Sequence, residues 1–309
     1  MRQELLARAL SLLERHGFRV ATFYHTNSCF DLIARSPNLT LLVKVFGNID
    51  ALRPEHATEL RKLEKIFNAE ALILGEKTKA FSLQRGMVYE RHDIPVLNLG
   101  SFADLLDERA PYIKYYKGKS IVELDADAMR RKREEAGKPL SEVAEQVGLA
   151  KESLHRFEAG ASTSLDTARK LEAYFKCTLI KQANFLGETG HEPIPERELF
   201  SEHFEDELLQ KIHDLGLKLA EFHRAPFDAF TQPSEGLLIS LGHKKADIQR
   251  KALDLGKSGE TLAAHAVILA KEFKARKVED IPVIGEEDLE TLHKAKDLLK
   301  LIREREKLR

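Results

Sequence analysis

Apolar residues recur at helical spacing between Leu140 and Gly160. Val143, Ala144 and Val147 share one face, and Leu154 and Phe157 share another. Gly148 stands between the two runs, where a helix can close through a left-handed residue. The pattern predicts two short helices joined by a tight turn. Ser141 is the expected N-cap of the first helix. The second starts after Ala150, which has no side-chain acceptor; a missing cap costs typically ~1 kcal/mol. Upstream, Met129–Ala136 reads as a helix and Gly137-Lys-Pro139 as a turn. Downstream, Leu165, Ala168, Leu171 and Phe175 form the apolar face of a later helix, with Ser164 or Thr163 as its cap.

The flanks of this segment repeat each other. Leu12-Leu-Glu-Arg-His-Gly-Phe-Arg-Val20, Cys29-Phe-Asp-Leu-Ile-Ala34 and Leu41-Leu-Val-Lys-Val45 come in that order near the start. Leu209–Leu219, Pro226-Phe-Asp-Ala-Phe230 and Leu237-Leu-Ile-Ser-Leu241 follow in the same order near the end. Asp93-Ile-Pro-Val96 is answered by Asp280-Ile-Pro-Val283, and Leu105-Leu106 by Leu289 and Leu292. Each copy reads helix, three strands, helix, strand, Ile-Pro-Val and a last helix. In the first copy these are a helix over Leu5–His16, strands at Phe30–Ala34 and Leu41–Phe46, a helix over Glu55–Phe67 and a strand at Ala71–Leu74. Alternating strands and helices imply a small α/β domain. Tyr112–Tyr116 and Ser120–Leu124 form an expected hairpin about Lys117-Gly-Lys119. Gly187–Pro195 reads as a linker. The tail Leu298–Arg309 reads as a solvated, partly frayed helix end.

Charge changes the picture. The 309 residues carry 49 basic and 50 acidic side chains, a net charge of -1, which is not the footprint of a tight nonspecific nucleic-acid binder. Asp125–Gly160 is balanced as well, so DNA binding there would need dimerisation or local clustering of positive charge. Lys114, Lys117, Lys119, Arg130 and Arg133 are candidate phosphate contacts. No run is long and apolar enough to span a bilayer, and the first residues do not form a signal peptide. Cys29 and Cys177 lack metal-type spacing and read as reduced thiols in a cytoplasmic protein. No histidine pair suggests a metal, and no glycine-rich phosphate loop or nucleophilic triad is present.

The Leu-Ser start, the Ala-x-x-x-Gly turn and the aromatic-Glu-x-Gly end of Leu140–Gly160 resemble the helix-turn-helix of the lambda-repressor/Cro-like (XRE) family. That resemblance implies duplex DNA as partner, with the second helix in the major groove. Lys151, Glu152 and Arg156 then occupy base-reading positions, and Ser153, His155, Ser141 and Glu142 join the DNA-binding set. Arginine suits guanine O6 and N7, and glutamate accepts from the cytosine amino group.

The order Gly-Phe-x-Val, Asp, then strand-x-Val-Lys in the flanks resembles the restriction-endonuclease-like fold, particularly archaeal Holliday-junction resolvases. That family cuts DNA with an Asp, then a Glu/Asp-x-Lys, both acids holding Mg2+. Such hydrolysis needs convergent carboxylates. Asp31 and Lys44 match in the first copy, but Leu42 replaces the second acid. In the second copy Asp228 matches, while Leu238 and Ser240 replace the acid and the lysine. Asp31, Lys44 and Asp228 are therefore vestigial positions, and no catalytic residue, metal or other cofactor is expected.

The whole arrangement resembles the archaeal family of HTH-type transcriptional regulators. The expected fold class is α/β plus all-α, with a central five-helix Cro-like domain between two degenerate nuclease-like α/β repeats. The expected divisions are 1–111 (first repeat), 112–124 (hairpin linker), 125–182 (helix-turn-helix), 183–198 (linker) and 199–309 (second repeat). The expected function is a non-enzymatic, sequence-specific DNA-binding regulator acting as a homodimer, with no membrane partner and with any small-molecule effector unknown. A structure-specific nuclease of resolvase type and a protein-binding scaffold in transcription remain alternatives.

Overall fold

The structure is a computed structural model. It describes residues 2–23, 27–116, 118–183, 185–186, 194–232, 236–242, 244–271, 273 and 275–307.

The first repeat contains α1 (Arg2–Arg15), β1 (Arg19–Thr22), β2 (Leu32–Arg35), β3 (Thr40–Asn48), α2 (Pro54–Phe67), β4 (Glu70–Lys77), β5 (Met87–Arg91), β6 (Ile94–Leu97) and α3 (Leu99–Leu106). A hairpin of β7 (Ile113–Tyr116) and β8 (Lys119–Ile121) follows. Next come α4 (Ala126–Glu135), α5 (Leu140–Val147), α6 (Lys151–Glu158), α7 (Leu165–Phe175) and the short α8 (Glu196–Leu199). The second repeat contains α9 (Glu207–Asp214), β9 (Lys218–Glu221), β10 (Ala229–Gln232), β11 (Leu237–Gly242), α10 (Lys245–Leu262), β12 (His265–Ala270), β13 (Lys277–Val278), β14 (Ile281–Gly285), α11 (Glu286–Glu290) and α12 (Ala295–Glu306).

The duplication is structural, element by element. β1, β2 and β3 pair antiparallel in that order, as do β9, β10 and β11. β4 pairs parallel with β6, and β12 with β14. β5 and β13 each return antiparallel to the Ile-Pro-Val strand. Both returns turn through two left-handed residues, His92 and Asp93 (φ 50° and 63°) and Glu279 and Asp280 (φ 46° and 66°). That backbone is the two-residue turn whose twist matches antiparallel strands.

By contact, the chain divides into two compact units that cut across the expected boundaries: Met1–Ala9, Phe46–Ala51 and Leu72–Gly190 form one, and Leu10–Val45, Leu52–Ala71 and His191–Arg309 the other.

In the first unit, β7 continues the sheet by pairing parallel with β5. The hairpin then enters the helical segment. Val122 bridges Thr163 and Leu124 bridges Ile180. Ile113, Val122 and Leu124 bury their side chains with Met129, Val143, Leu154, Phe157 and Leu171 in one cluster. A fully buried side chain of this size contributes roughly 1.5–3 kcal/mol. The hairpin is thus part of the helical domain's core. Residues 125–182 hold four helices rather than five. After α7 closes at Lys176 in a left-handed turn, Glu172 Oε1 accepts the N–H groups of Leu179 and Ile180 (2.8 and 3.0 Å), which fixes that stretch as extended chain.

In the second unit, Leu237, Ile239 and Leu241 of β11 face a core built with Leu209 and Ile212 of α9 and Leu298 and Ile302 of α12. α10 packs on the same sheet from the opposite side, where strand alternation puts Leu238 and Ser240. The tail is therefore no frayed end: α12 is seated by Leu298 and Ile302, and Arg305 reaches Asp288 (2.6 Å) and the Val283 carbonyl. α10 also packs on β1 and β2. The two repeats meet reciprocally here. Arg35 at the end of β2 donates to the Leu262 carbonyl in the last turn of α10. Gln232 at the end of β10 donates to the Ile66 carbonyl in the last turn of α2 (3.5 Å). This is the two-way contact of a symmetric dimer, made within one chain. Of the expected linker 183–198, residues 184 and 187–193 lie outside the described residues.

Candidate nucleic-acid interface and the aspartates of the two repeats

α5 ends at Gly148 (φ 72°, ψ 39°), whose left-handed backbone turns the chain into α6. Ser141 does not cap α5. Pro139 holds the N-cap position with φ -70° and offers no acceptor, so Ser141 falls inside the first turn. Ala150 is the N-cap of α6, and no side chain caps that helix. Leu154 and Phe157 anchor α6 in the core. Lys151, Glu152, His155 and Arg156 are exposed and Ser153 is half-buried. Among the described residues none of these five side chains has an ion pair or hydrogen bond. The face is available for an outside partner. Ser141 is exposed, and Glu142 pairs with Lys138.

The surrounding basic residues separate into two groups. Arg133 does not present its guanidinium to a phosphate. It holds the buried Glu158 in a bidentate pair (2.7 and 2.9 Å), with its side chain only 14% exposed. Arg130 Nη2 donates to the Glu158 carbonyl (2.6 Å). These arginines tie α4 to the end of α6, and the Arg130 side chain remains 48% exposed. Lys114 pairs with Glu123 (2.6 Å). Lys119 is exposed on β8, and Lys117 lies outside the described residues.

The aspartates of the two repeats occupy matching backbone positions. Asp31 N–H donates to Val43 O and Asp228 N–H to Ile239 O, both at 2.8 Å. Asp31 Oδ2 accepts Val45 N–H at 2.8 Å, and Asp228 Oδ2 accepts Leu241 N–H at 2.7 Å. This register puts Lys44 opposite Ser240 and Leu42 opposite Leu238. Asp31 is fully buried, and Lys44 Nζ meets both Asp31 Oδ1 (3.1 Å) and Ser28 O (2.6 Å). In the second repeat, Lys251 of α10 supplies the ammonium instead, 2.9 Å from both Asp228 Oδ2 and Leu241 O. Counting back from the left-handed caps Asn68 and Ala263, Lys251 falls where α2 has His56. Sequence matching along the strand could not find Lys251, because its partner lies on a different element.

The first centre is also covered. Residues 223–224 of the second repeat lie on it. Glu59 Oε1 accepts the N–H groups of His223 and Arg224 (2.7 and 2.5 Å), and Cys29 N–H donates to Arg224 O (2.6 Å). Arg224 Nη1 donates to His56 Nε2 at 3.1 Å. Burial and the Arg224 charge hold the His56 imidazole below its ordinary range, and burial pushes the Cys29 thiol up. The donor set does not fit a divalent cation. Leu42 and Leu238 are apolar and fully buried where a second carboxylate is required, and both Asp31 oxygens face protein donors. No group of three or more His, Cys, Asp or Glu suited to a metal occurs among the described residues.

Residues 2–111 match the PD-(D/E)XK superfamily domain and residues 129–182 match the helix-turn-helix family. No solved structure matches the chain. The chain is 32% identical over 303 residues to a protein of Archaeoglobus fulgidus, covering 97% of each. It is 31% identical to one of Pyrococcus horikoshii, covering 98% of each, and 27% identical to one of Methanocaldococcus jannaschii, covering 98% of this chain and 97% of the relative. All three relatives carry the provisional name HTH-type transcriptional regulatory protein. The chain belongs to this archaeal family of HTH-type transcriptional regulatory proteins.

Proposed function

We propose that the protein is a transcriptional regulator that reads duplex DNA with α6 in the major groove, through Lys151, Glu152, Ser153, His155 and Arg156. The observation that carries this reading is the unpartnered polar face of α6, set against the nearby Arg130 and Arg133, which are engaged within the protein. The uncapped start of α6 adds to it. Backbone N–H groups there suit a DNA phosphate, which is attracted to a helix N-terminus. Ser141 and Lys119, both exposed, are further candidate contacts. Each chain has one such motif, so a homodimer supplies two half-site readers about one helical turn apart. The working location is the cytoplasm, with the DNA. The test is selection of bound genomic fragments by the wild-type chain and by the Lys151→Ala/Arg156→Ala double variant. The expected result is a discrete enriched sequence that the variant loses; unchanged selectivity in the variant overturns the assignment of α6.

Both nuclease-like repeats act without cleaving DNA in this reading. The retained Asp31–Lys44 pair favours the competing reading of a nuclease. Incubation with branched and linear DNA in Mg2+ or Mn2+ separates the two, and cleavage by the wild type that an Asp31→Ala variant shown to be folded loses would establish the nuclease.

A further inference from the structure

A cleft of about 670 Å3 lies in the first unit, between the end of α3 and the helix-turn-helix domain. Its volume falls within the roughly 300–1,000 Å3 of small-molecule sites. One wall carries Asp104 of α3 with Arg85 and Arg109. The other carries Leu165 and Arg169 of α7 and Ile180 beyond it, and Tyr112 also lines the cleft.

The charges in the cleft are unbalanced in a specific way. Arg85 chelates Asp104 through two bonds (2.7 and 2.6 Å), and Arg109 shares Asp104 (3.3 Å) while pairing with Asp107 (2.7 Å). The pairing with Arg85 holds the Asp104 carboxyl below the usual carboxylate range, so it stays ionised. Glu172 also lines the cleft, but its Oε1 is taken by the amides of Leu179 and Ile180. Arg169 has no ion pair or hydrogen bond among the described residues. A guanidinium of fixed fork geometry, beside an apolar wall and an exposed tyrosine ring, recognises a carboxylate or phosphate carried on an apolar body.

We propose that this cleft binds a small organic acid, its carboxylate or phosphate on Arg169 and its apolar body against Leu165, Ile180 and Tyr112. The ligand would bridge α3 to α7. Because α7 shares its buried face with α4, α5 and α6 through Ala168 and Leu171, a ligand that holds α7 biases the placement of α6. The regulatory half of this inference rests on the DNA-binding reading above; the site itself does not.

The experiment is titration calorimetry on the full chain with phenyl phosphate, benzoate, inorganic phosphate and benzyl alcohol. A saturable heat is expected with phenyl phosphate or benzoate, and whichever binds identifies the acid group. Inorganic phosphate and benzyl alcohol, each lacking one half of the ligand, should bind at least about tenfold more weakly. Arg169→Ala should weaken the aryl acid about tenfold or more, and Arg169→Gln, which keeps the stem, should do the same. Absence of saturation by both aryl acids, equal binding of inorganic phosphate, or unaltered binding in both variants overturns the site. Saturating acid should then change the dissociation constant for a selected DNA fragment by about fivefold or more. An unchanged constant overturns the coupling. If no DNA is bound at all, the failure belongs to the DNA reading, and the calorimetry still decides the site.

Discussion

Lys251 holds Asp228 from a helix, its Nζ 2.9 Å from the carboxylate, although the strand position where the first repeat keeps its lysine is Ser240. The second repeat therefore draws this charge from α10 rather than from the strand. Both repeats hold an aspartate that accepts an N–H from the neighbouring strand and is paired with an ammonium.

The two aspartates should differ sharply in their energetic weight. Asp31→Ala leaves the buried Lys44 ammonium and the Val45 N–H without this partner, and such a broken buried pair costs about 3–5 kcal/mol. Asp228 has a side chain 31% exposed, so Asp228→Ala should cost less, on the order of 1–2 kcal/mol. Urea unfolding of both variants checks this; equal losses would contradict it.

Glu158→Ala should destabilise the helix-turn-helix domain by roughly 2–4 kcal/mol, because Arg133 is bidentate on it and itself largely shielded from water. Arg156→Ala should leave the melting temperature in place and weaken DNA binding. A scan of both variants with a DNA-binding isotherm separates support of the fold from contact with the partner.

Ala150→Ser restores an acceptor at the start of α6. It should raise stability by about 0.5–1 kcal/mol. If the bare amides there meet a DNA phosphate, the same substitution should lower DNA affinity while raising the melting temperature. The two readouts moving in opposite directions is the expected outcome.

Stability should fall as the solution is acidified through the ordinary histidine range. Burial and Arg224 depress the His56 pKa in the folded protein, so the unfolded chain binds the proton first. The contribution is fully present above the unfolded-state value of about 6.5 and declines below it, through the folded value. Denaturant unfolding at pH 7.5 and pH 5.5 measures the slope, which His56→Gln should flatten.

Much of this architecture was legible in the chain. The Ile-Pro-Val pair, the two aspartates and the spacing of Val143, Ala144, Val147, Leu154 and Phe157 predicted the repeat and the helix pair, because strand and helix periodicities are local. The misreadings have two sources: a neighbour that fixes the local backbone, and partners that only folding brings together. Ser141 looks like a cap until Pro139 is seen to fix the preceding backbone. Arg133 looks like surface charge until the buried Glu158 closes on it. The charged tail hides Leu298 and Ile302, whose burial on β-strand residues only the folded sheet reveals. A fifth helix was expected from family resemblance, where Glu172 instead binds the backbone of an extended stretch.

The hairpin joining β5 to the helical core has a consequence for how operators are searched. β7 is hydrogen-bonded into the sheet, and Val122 and Leu124 are bridged to both ends of the α7 region. The reading head is thus mounted like a fixed jaw rather than hung on a tether. Two such jaws in a dimer would act as a caliper of set width. Binding sites should then tolerate base changes inside a half-site better than a single inserted base pair between half-sites, since an insertion both lengthens and rotates the gap that rigid jaws must span.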